Sequence, residues 1–389
     1  MTARGIPVGR ILGIEIRIAP AWAVLLALVM LIAAEQAGVS GPQVAVLVQW
    51  VIGAVVAMAF LASVIAHEMA HALLGRHLGM EAREVVLGFV GGPAPLPAGA
   101  ARPRDELSVA LVGPFVSLVI AFVAMPVAIL AWLAEPALGT VAGALMMIGV
   151  LNLILGLVSL LPGIPLDGGR AVLALAWAHT GDPDRAGRIA ARVGRLLGMA
   201  TFALGALLTV AGRASEGLLI VCLGWLLVAG ARSLDRRLAL ETLLRGMVVG
   251  DALNRDVPRV APNLTVDTFA SRYEGQDALS ALPVVDDDRV IGVIGRKRLK
   301  RLGRGKFAAT RALDIMDVPP QAPILAPGDS LWGAALLMNE RGMEGLAVAV
   351  DGRLEGLLTA ISIGEVVRRL AAPAPIPSAA AGPAGGGVG

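Results

Sequence analysis

FLASVIAHEMAHALLGRHLG, residues 60–79, joins a long apolar run to a cluster of ionisable side chains. Within it His67, Glu68 and His71 form an H-E-x-x-H pattern. On a helix, side chains four residues apart differ in direction by about 40° and project from one face. Two imidazoles so placed reach one tetrahedral Zn2+, and Glu68 stands beside them as a general base for a bound water. The residues upstream, about 44–66, are almost entirely apolar, so the helix reads as a membrane span. A five-residue match also arises by chance in a chain of 389 residues. Ionisable groups on an apolar span are costly unless partnered, and that cost favours a metal site.

Composition agrees with a membrane setting. Hydrophobic residues make up 56% of the chain, charged residues 16%, and mean hydropathy is +0.76, far from a soluble average. The formal net charge of +3 is small and dispersed, which argues against a nucleic-acid partner. A single cysteine, Cys222, excludes an internal disulfide and reads as a small filler in an apolar run. Arg4 and Arg10 precede an apolar stretch that leads straight into further spans, so no cleavable signal peptide is expected.

Residues 1–17 read as a short cytosolic lead. Spans are expected at about 18–34, 44–78, 107–133, 141–161, 196–211 and 217–231. Residues 79–105 are not a span. Val85–Val90 has strand character and Gly91-Gly92-Pro93 breaks it, giving either a hairpin or re-entrant loop or a plain connector. Gly113-Pro114 lies inside the third span, where proline frees a carbonyl. With six spans, nearly all the membrane-proximal Arg residues fall on the side holding both termini. The positive-inside rule makes that side cytosolic.

From about Gly246 the composition turns soluble and repeats itself. Each half has two β-rich runs around a tight turn, LPVVDDDRVIGVI at 282–294 and GLAVAVDGRLEGLL at 345–358. The fold class is therefore a polytopic α-helical membrane domain of about six helices, residues 1–240, followed by a soluble α+β domain. That domain has two modules, 246–303 and 312–370, and residues 372–389 read as a disordered Pro/Ala/Gly tail.

Asp167, in Pro165-Leu166-Asp167-Gly168-Gly169-Arg170, ends the fourth span on the same side as His67 and His71. It is either a third metal ligand, leaving a fourth position open for water, or a helix-end Asp before a glycine turn. His77, His179 and Asp182 are weaker candidates.

HEMAH at 67–71, Gly113-Pro114 and SLLPGIPLDGGR at 159–170 resemble the site-2 protease family of intramembrane zinc metalloproteases. The C-terminal repeat resembles a pair of CBS modules, as in the bacterial and archaeal branch of that family. The resemblance implies one Zn2+ per chain on His67, His71 and Asp167, with Glu68 activating water. It implies a multi-pass protein of the bacterial cell membrane that cuts single-span membrane proteins in the lipid bilayer. It also implies that Gly91-Gly92 lies in a β-like region beside the substrate.

Two departures stand out. The family's Asn, which steadies the substrate carbonyl or oxyanion, is here Ser159, a donor of shorter reach. Asn152, two turns earlier, either shares that role or hydrogen-bonds between helices. In the CBS pair, the T-x-x-D-like run whose Asp holds an adenine nucleotide's ribose falls at Gly295–Arg298 and Thr359–Ser362, and neither has the Asp. Homodimerisation through the pair needs no nucleotide. Two other readings stand beside the protease: a CBS-regulated transporter, and a zinc-binding scaffold weakened at Ser159.

Overall fold

The structure, a computed structural model, describes residues 5–40, 44–80, 84–88, 102–273, 280–319 and 322–371. Gly91, Gly92 and the 372–389 tail lie outside these residues. The chain divides into two compact units, residues 1–238 and 239–389.

The first unit opens with a feature the sequence reading treated as a lead. Strands β1 (Ile6–Ile11) and β2 (Ile14–Ile18) form an antiparallel hairpin. Leu12 and Gly13 both take positive φ, as a two-residue hairpin turn requires. The alternation Ile14-Glu15-Ile16-Arg17-Ile18 buries Ile14 and Ile16 and turns the charges outward. The chain then runs through α1 (Ala21–Ser40) and α2 (Val46–His77). It returns as β3 (Glu84–Leu87), which pairs parallel to β2. The two helices thus serve as the long crossover that parallel pairing needs. The sheet order β1-β2-β3 leaves β3 at an edge, so the strand character read at Val85 is real over these four residues. Ile14, Ile16, Trp22, Val56, Phe60, Val64 and Leu87 form the core where sheet and helices meet.

Four long helices and one short one complete the unit: α3 (Pro103–Ala134), α4 (Gly139–Ser159), α5 (Asp167–Thr180), α6 (Pro183–Val210) and α7 (Ala214–Leu244). Six of the seven, all but α5, are long and apolar enough to cross a bilayer. With 14 residues, α5 spans only about 21 Å and falls short of a hydrocarbon core of about 30 Å. The fifth span begins at Pro183 and not near Leu196. Asp182 caps it by accepting hydrogen bonds from the amides of Asp184 and Arg185. Those bonds, foremost the one from Arg185, hold the Asp182 carboxyl below its ordinary range. Its first half is amphipathic, burying Ala186, Gly187, Ala190, Ala191 and Gly194 while its arginines face away. Arg195 pairs with Asp235 of α7. Small residues let α6 and α7 approach closely, as is common between membrane helices.

The second unit holds α8 (Val266–Tyr273), β4 (Ala281–Asp286), β5 (Arg289–Gly295), α9 (Arg296–Leu302), α10 (Ala312–Ile315), α11 (Leu331–Arg341), β6 (Gly345–Val350), β7 (Arg353–Thr359) and α12 (Ala360–Ala371). Its four strands make one antiparallel sheet in the order β4-β5-β7-β6. The repeat is visible in detail. Each hairpin has a bulge at the matching place, Val284/Val285 and Val348/Ala349. Each outer strand, β4 and β6, also takes a parallel bridge from upstream, Val260 to Val284 and Leu325 to Val348.

Candidate metal centre

His67 and His71 lie in the last third of α2, among the buried residues that pack this helix into the unit. His67 is buried and Glu68 half-buried. Asp167 is the first residue of α5 and faces the two imidazoles. The Nε2 atoms of His67 and His71 are 3.2 Å apart. The Asp167 carboxylate offers Oδ2 at 3.2 Å from His67 Nε2 and Oδ1 at 3.3 Å from His71 Nε2. Zinc bonds of about 2.0–2.1 Å in a tetrahedron give ligand-to-ligand edges of about 3.3–3.4 Å, so these separations suit such an ion. Among the described residues no other group of three His, Cys, Asp or Glu side chains could hold a metal. His77 and His179 are exposed, and Asp182 is occupied as a helix cap.

The far nitrogens of the imidazoles are also fixed. His71 Nδ1 lies 2.6 Å from the carbonyl oxygen of Val109. A carbonyl only accepts, so Nδ1 carries a proton, and in the neutral ring the Nε2 lone pair then faces Asp167. His67 Nδ1 is 2.9 Å from Ser117 Oγ. Such outer partners set the tautomer and orientation of metal-binding histidines. Lone pairs facing a carboxylate repel unless a cation, protons or metal, lies between them. Burial works against the charge of Asp167, and hydrogen bonding to His67 and His71 outweighs it, holding the carboxyl well below its usual range.

Room for the ion comes from α3. A Cβ added at Gly113 would stand 2.1 Å from His71 Nε2 and 2.7 Å from His67 Nε2. The glycine thus leaves open the space a bound ion needs. Val109, Gly113 and Ser117 recur every four residues along the buried stripe of α3. Sequence reasoning singled out Gly113 but missed its two neighbours. Val109 acts through its backbone and so leaves no side-chain signal, whereas Ser117, one turn beyond Gly113 on an apolar helix, did leave one.

The pair Gly168-Gly169 sits against backbone of its own chain. A Cβ at Gly168 would meet the Leu160 carbonyl oxygen at 2.1 Å, and one at Gly169 the Ile164 nitrogen at 2.4 Å. The glycines let the first turn of α5 press against the chain's own 160–164 segment, which sets the depth of Asp167.

Comparison with known proteins bears on this geometry. The sequence profile of peptidase family M50 matches residues 126–201, and that of the CBS domain matches residues 249–305. A Mycobacterium tuberculosis protein named zinc metalloprotease Rip3 is 34% identical over 379 residues, covering 95% of each chain. The chain belongs to peptidase family M50, the site-2 proteases. A Synechocystis relative named zinc metalloprotease sll0528 is 28% identical over 370 residues, covering 94% of this chain and 96% of its own. Among solved structures, the site-2 protease of Methanocaldococcus jannaschii is 22% identical and covers 60% of this chain and 95% of that one, with a TM-score of 0.40.

The protein is thus a site-2-type zinc metalloprotease with a CBS domain, built on a multi-pass membrane unit. Two polar residues of this M50 chain hydrogen-bond within their own helix. The Ser159 hydroxyl is buried and donates to the Gly156 carbonyl of its own helix at 3.1 Å. Asn152 is fully buried and donates from Nδ2 to the Ile148 carbonyl of its own helix at 2.9 Å, and among the described residues it has no interhelical hydrogen bond. Its Oδ1 has no hydrogen-bond partner among those residues. In the CBS unit, Thr359 and Ser362 exchange hydrogen bonds at the start of α12. Arg298 pairs with Asp317 at 3.0 Å.

Proposed function

We propose that the protein hydrolyses peptide bonds in or near the membrane-spanning segments of single-span proteins, with one zinc ion held by His67, His71 and Asp167. The observation that carries this reading is the three-residue cluster itself, set among helices long and apolar enough to cross a bilayer. Zinc bound there would act as a Lewis acid on the scissile carbonyl and lower the pKa of a water. Glu68, beside the pair on α2, takes the proton of the attacking water and returns it to the leaving amine. The Nδ1 partners Val109 and Ser117 keep both imidazoles directed at the ion through the cycle.

A transmembrane substrate helix has its carbonyls hydrogen-bonded internally, so it unwinds before it is cut. An unwound segment pairs with an exposed strand edge to satisfy its backbone. Among the described residues β3 is bordered on one side only, and it is the proposed docking edge. In the bacterial cell membrane, the proposed location, the Arg distribution supports a cytosolic site and cytosolic termini. The CBS unit would gate the protease or pair two copies. An adenine nucleotide there would bind without a ribose-holding Asp, since Ser362 is engaged in capping α12.

The decisive experiment is cleavage of single-span test proteins in proteoliposomes, with and without a zinc chelator. Cleavage that the chelator stops and added zinc restores is the expected result. Ion flux without any metal-dependent cleavage would overturn the reading.

Position 159 allows a finer test. Ser159 reaches a developing oxyanion only by releasing the Gly156 carbonyl, whereas Asn has a longer, free amide. Ser159→Asn is expected to raise kcat about tenfold, part of the 10²–10³ associated with one oxyanion donor, at unchanged zinc content. A kcat equal to or below wild type would count against a catalytic role for position 159.

A further inference from the structure

Glu106 is the most deeply buried acid among the described residues, 1% exposed in the first turn of α3. Its Oε1 accepts a hydrogen bond from Arg170 Nε at 3.0 Å, and its Oε2 has no hydrogen-bond partner among the described residues. Arg170 stands three residues after Asp167, one turn along the same face of α5. Glu106 in turn continues the stripe of Val109, Gly113 and Ser117 on α3. One helix face therefore touches every part of the cluster. Ser117 holds His67, Val109 holds His71, Gly113 leaves the space open, and Glu106 holds the turn that carries Asp167.

The energetics argue that this pair does more than hold the fold together. Burying two charges costs several kcal/mol each, and a well-packed apolar pair of the same volume is often as stable or more so. The unpartnered Oε2 adds to that cost. What an apolar contact would not supply is direction. Arg170 offers a planar donor fork, and its bond to Glu106 ties the first turn of α5 to the helix that already fixes both imidazoles. The glycines at 168 and 169 hold that turn against the 160–164 segment and set its depth, but they leave its approach to α3 open.

We infer that Glu106 and Arg170 are positioning residues of the metal centre, holding Asp167 at bonding range of an ion shared with His67 and His71. This rests on the reading of those three residues as zinc ligands. The pair touches neither substrate nor ion and acts through the backbone of α5.

The test is zinc affinity of the full-length protein in detergent, measured by competition with a chromophoric chelator, alongside thermal unfolding of the metal-free form. Glu106→Gln and Arg170→Ala are each expected to weaken zinc binding by about 10–100-fold, the range seen when outer partners of metal ligands are removed. Arg170→Lys should recover part of that loss. The Glu106→Gln/Arg170→Ala double variant should bind no more weakly than the worse single variant, since both break one contact. A purely structural pair would give lower unfolding midpoints with unchanged zinc affinity, and that result overturns the inference. Glu106→Gln is isosteric, so it removes the charge that fixes Arg170 without opening a cavity, which guards against simple misfolding. Asp167→Asn separates the two readings. If it leaves zinc affinity intact, the ligand assignment is wrong and the positioning role falls with it. If it weakens binding and the Glu106 and Arg170 variants do not, only the positioning role fails.

Discussion

A single methyl group at position 113 is expected to cost the protein its metal. Gly113→Ala places a carbon 2.1 Å from His71 Nε2 and 2.7 Å from His67 Nε2, inside van der Waals contact with both donor atoms. Side-chain ends often swing away from such an intrusion, but these two rings are anchored. His71 is held by the Val109 carbonyl and His67 by Ser117, and both anchors lie on α3 with Gly113 itself. Moving the rings breaks those bonds, and moving α3 outward carries the anchors away from the rings. Loss of outer partners alone costs about 10–100-fold in metal affinity for each ligand. With two ligands disturbed together, zinc binding should weaken by at least about two orders of magnitude, and cleavage should fall with it. Helix propensity pulls the other way, since alanine is favoured over glycine by roughly 0.5–1 kcal/mol in a helix interior. The metal-free variant is therefore expected to remain folded. Zinc content by elemental analysis after equilibration in a buffered zinc solution decides the matter, and one equivalent retained would refute the argument.

What was legible in the sequence was what periodicity and spacing record. H-E-x-x-H marked two side chains on one helical face, and six apolar runs marked six crossing helices. The turns at Asp287-Asp288 and Asp351-Gly352 marked two hairpins, and those residues do take positive φ. Features that depend on partners distant in sequence were not legible. The N-terminal hairpin turns at Leu12-Gly13, where a leucine occupies a position usually signalled by Asn or Asp. Helix α5 begins Asp-Gly-Gly, a poor local start, because its glycines answer to backbone contacts at Leu160 and Ile164. The early start of α6 was hidden because averaging along the chain mixes its arginine face with its alanine and glycine face. The Glu106–Arg170 bond joins residues 64 apart in sequence, and no local pattern announces it.

Replacing Glu68 by glutamine is expected to do the opposite of Gly113→Ala: zinc stays and turnover goes. Gln has the size of Glu and keeps hydrogen-bonding capacity, but its amide does not accept a proton at neutral pH. None of the atoms that face the ion belongs to residue 68, since the close distances run among His67, His71 and Asp167 alone. The metal content of Glu68→Gln should therefore equal that of wild type. Positioned proton transfer typically contributes about 10²–10⁴-fold, and kcat should drop by that factor with KM little changed, because the lost interaction is made in the transition state. Measured in the same proteoliposomes, the two variants form a pair of controls. One shows what the membrane unit does with an intact ligand set and no base, the other what it does with an intact base and no room for the ion. If Glu68→Gln kept more than about a tenth of wild-type kcat with zinc bound, the proton would have another acceptor. The search would then move to the half-buried surroundings of α2 and away from the H-E-x-x-H acid itself.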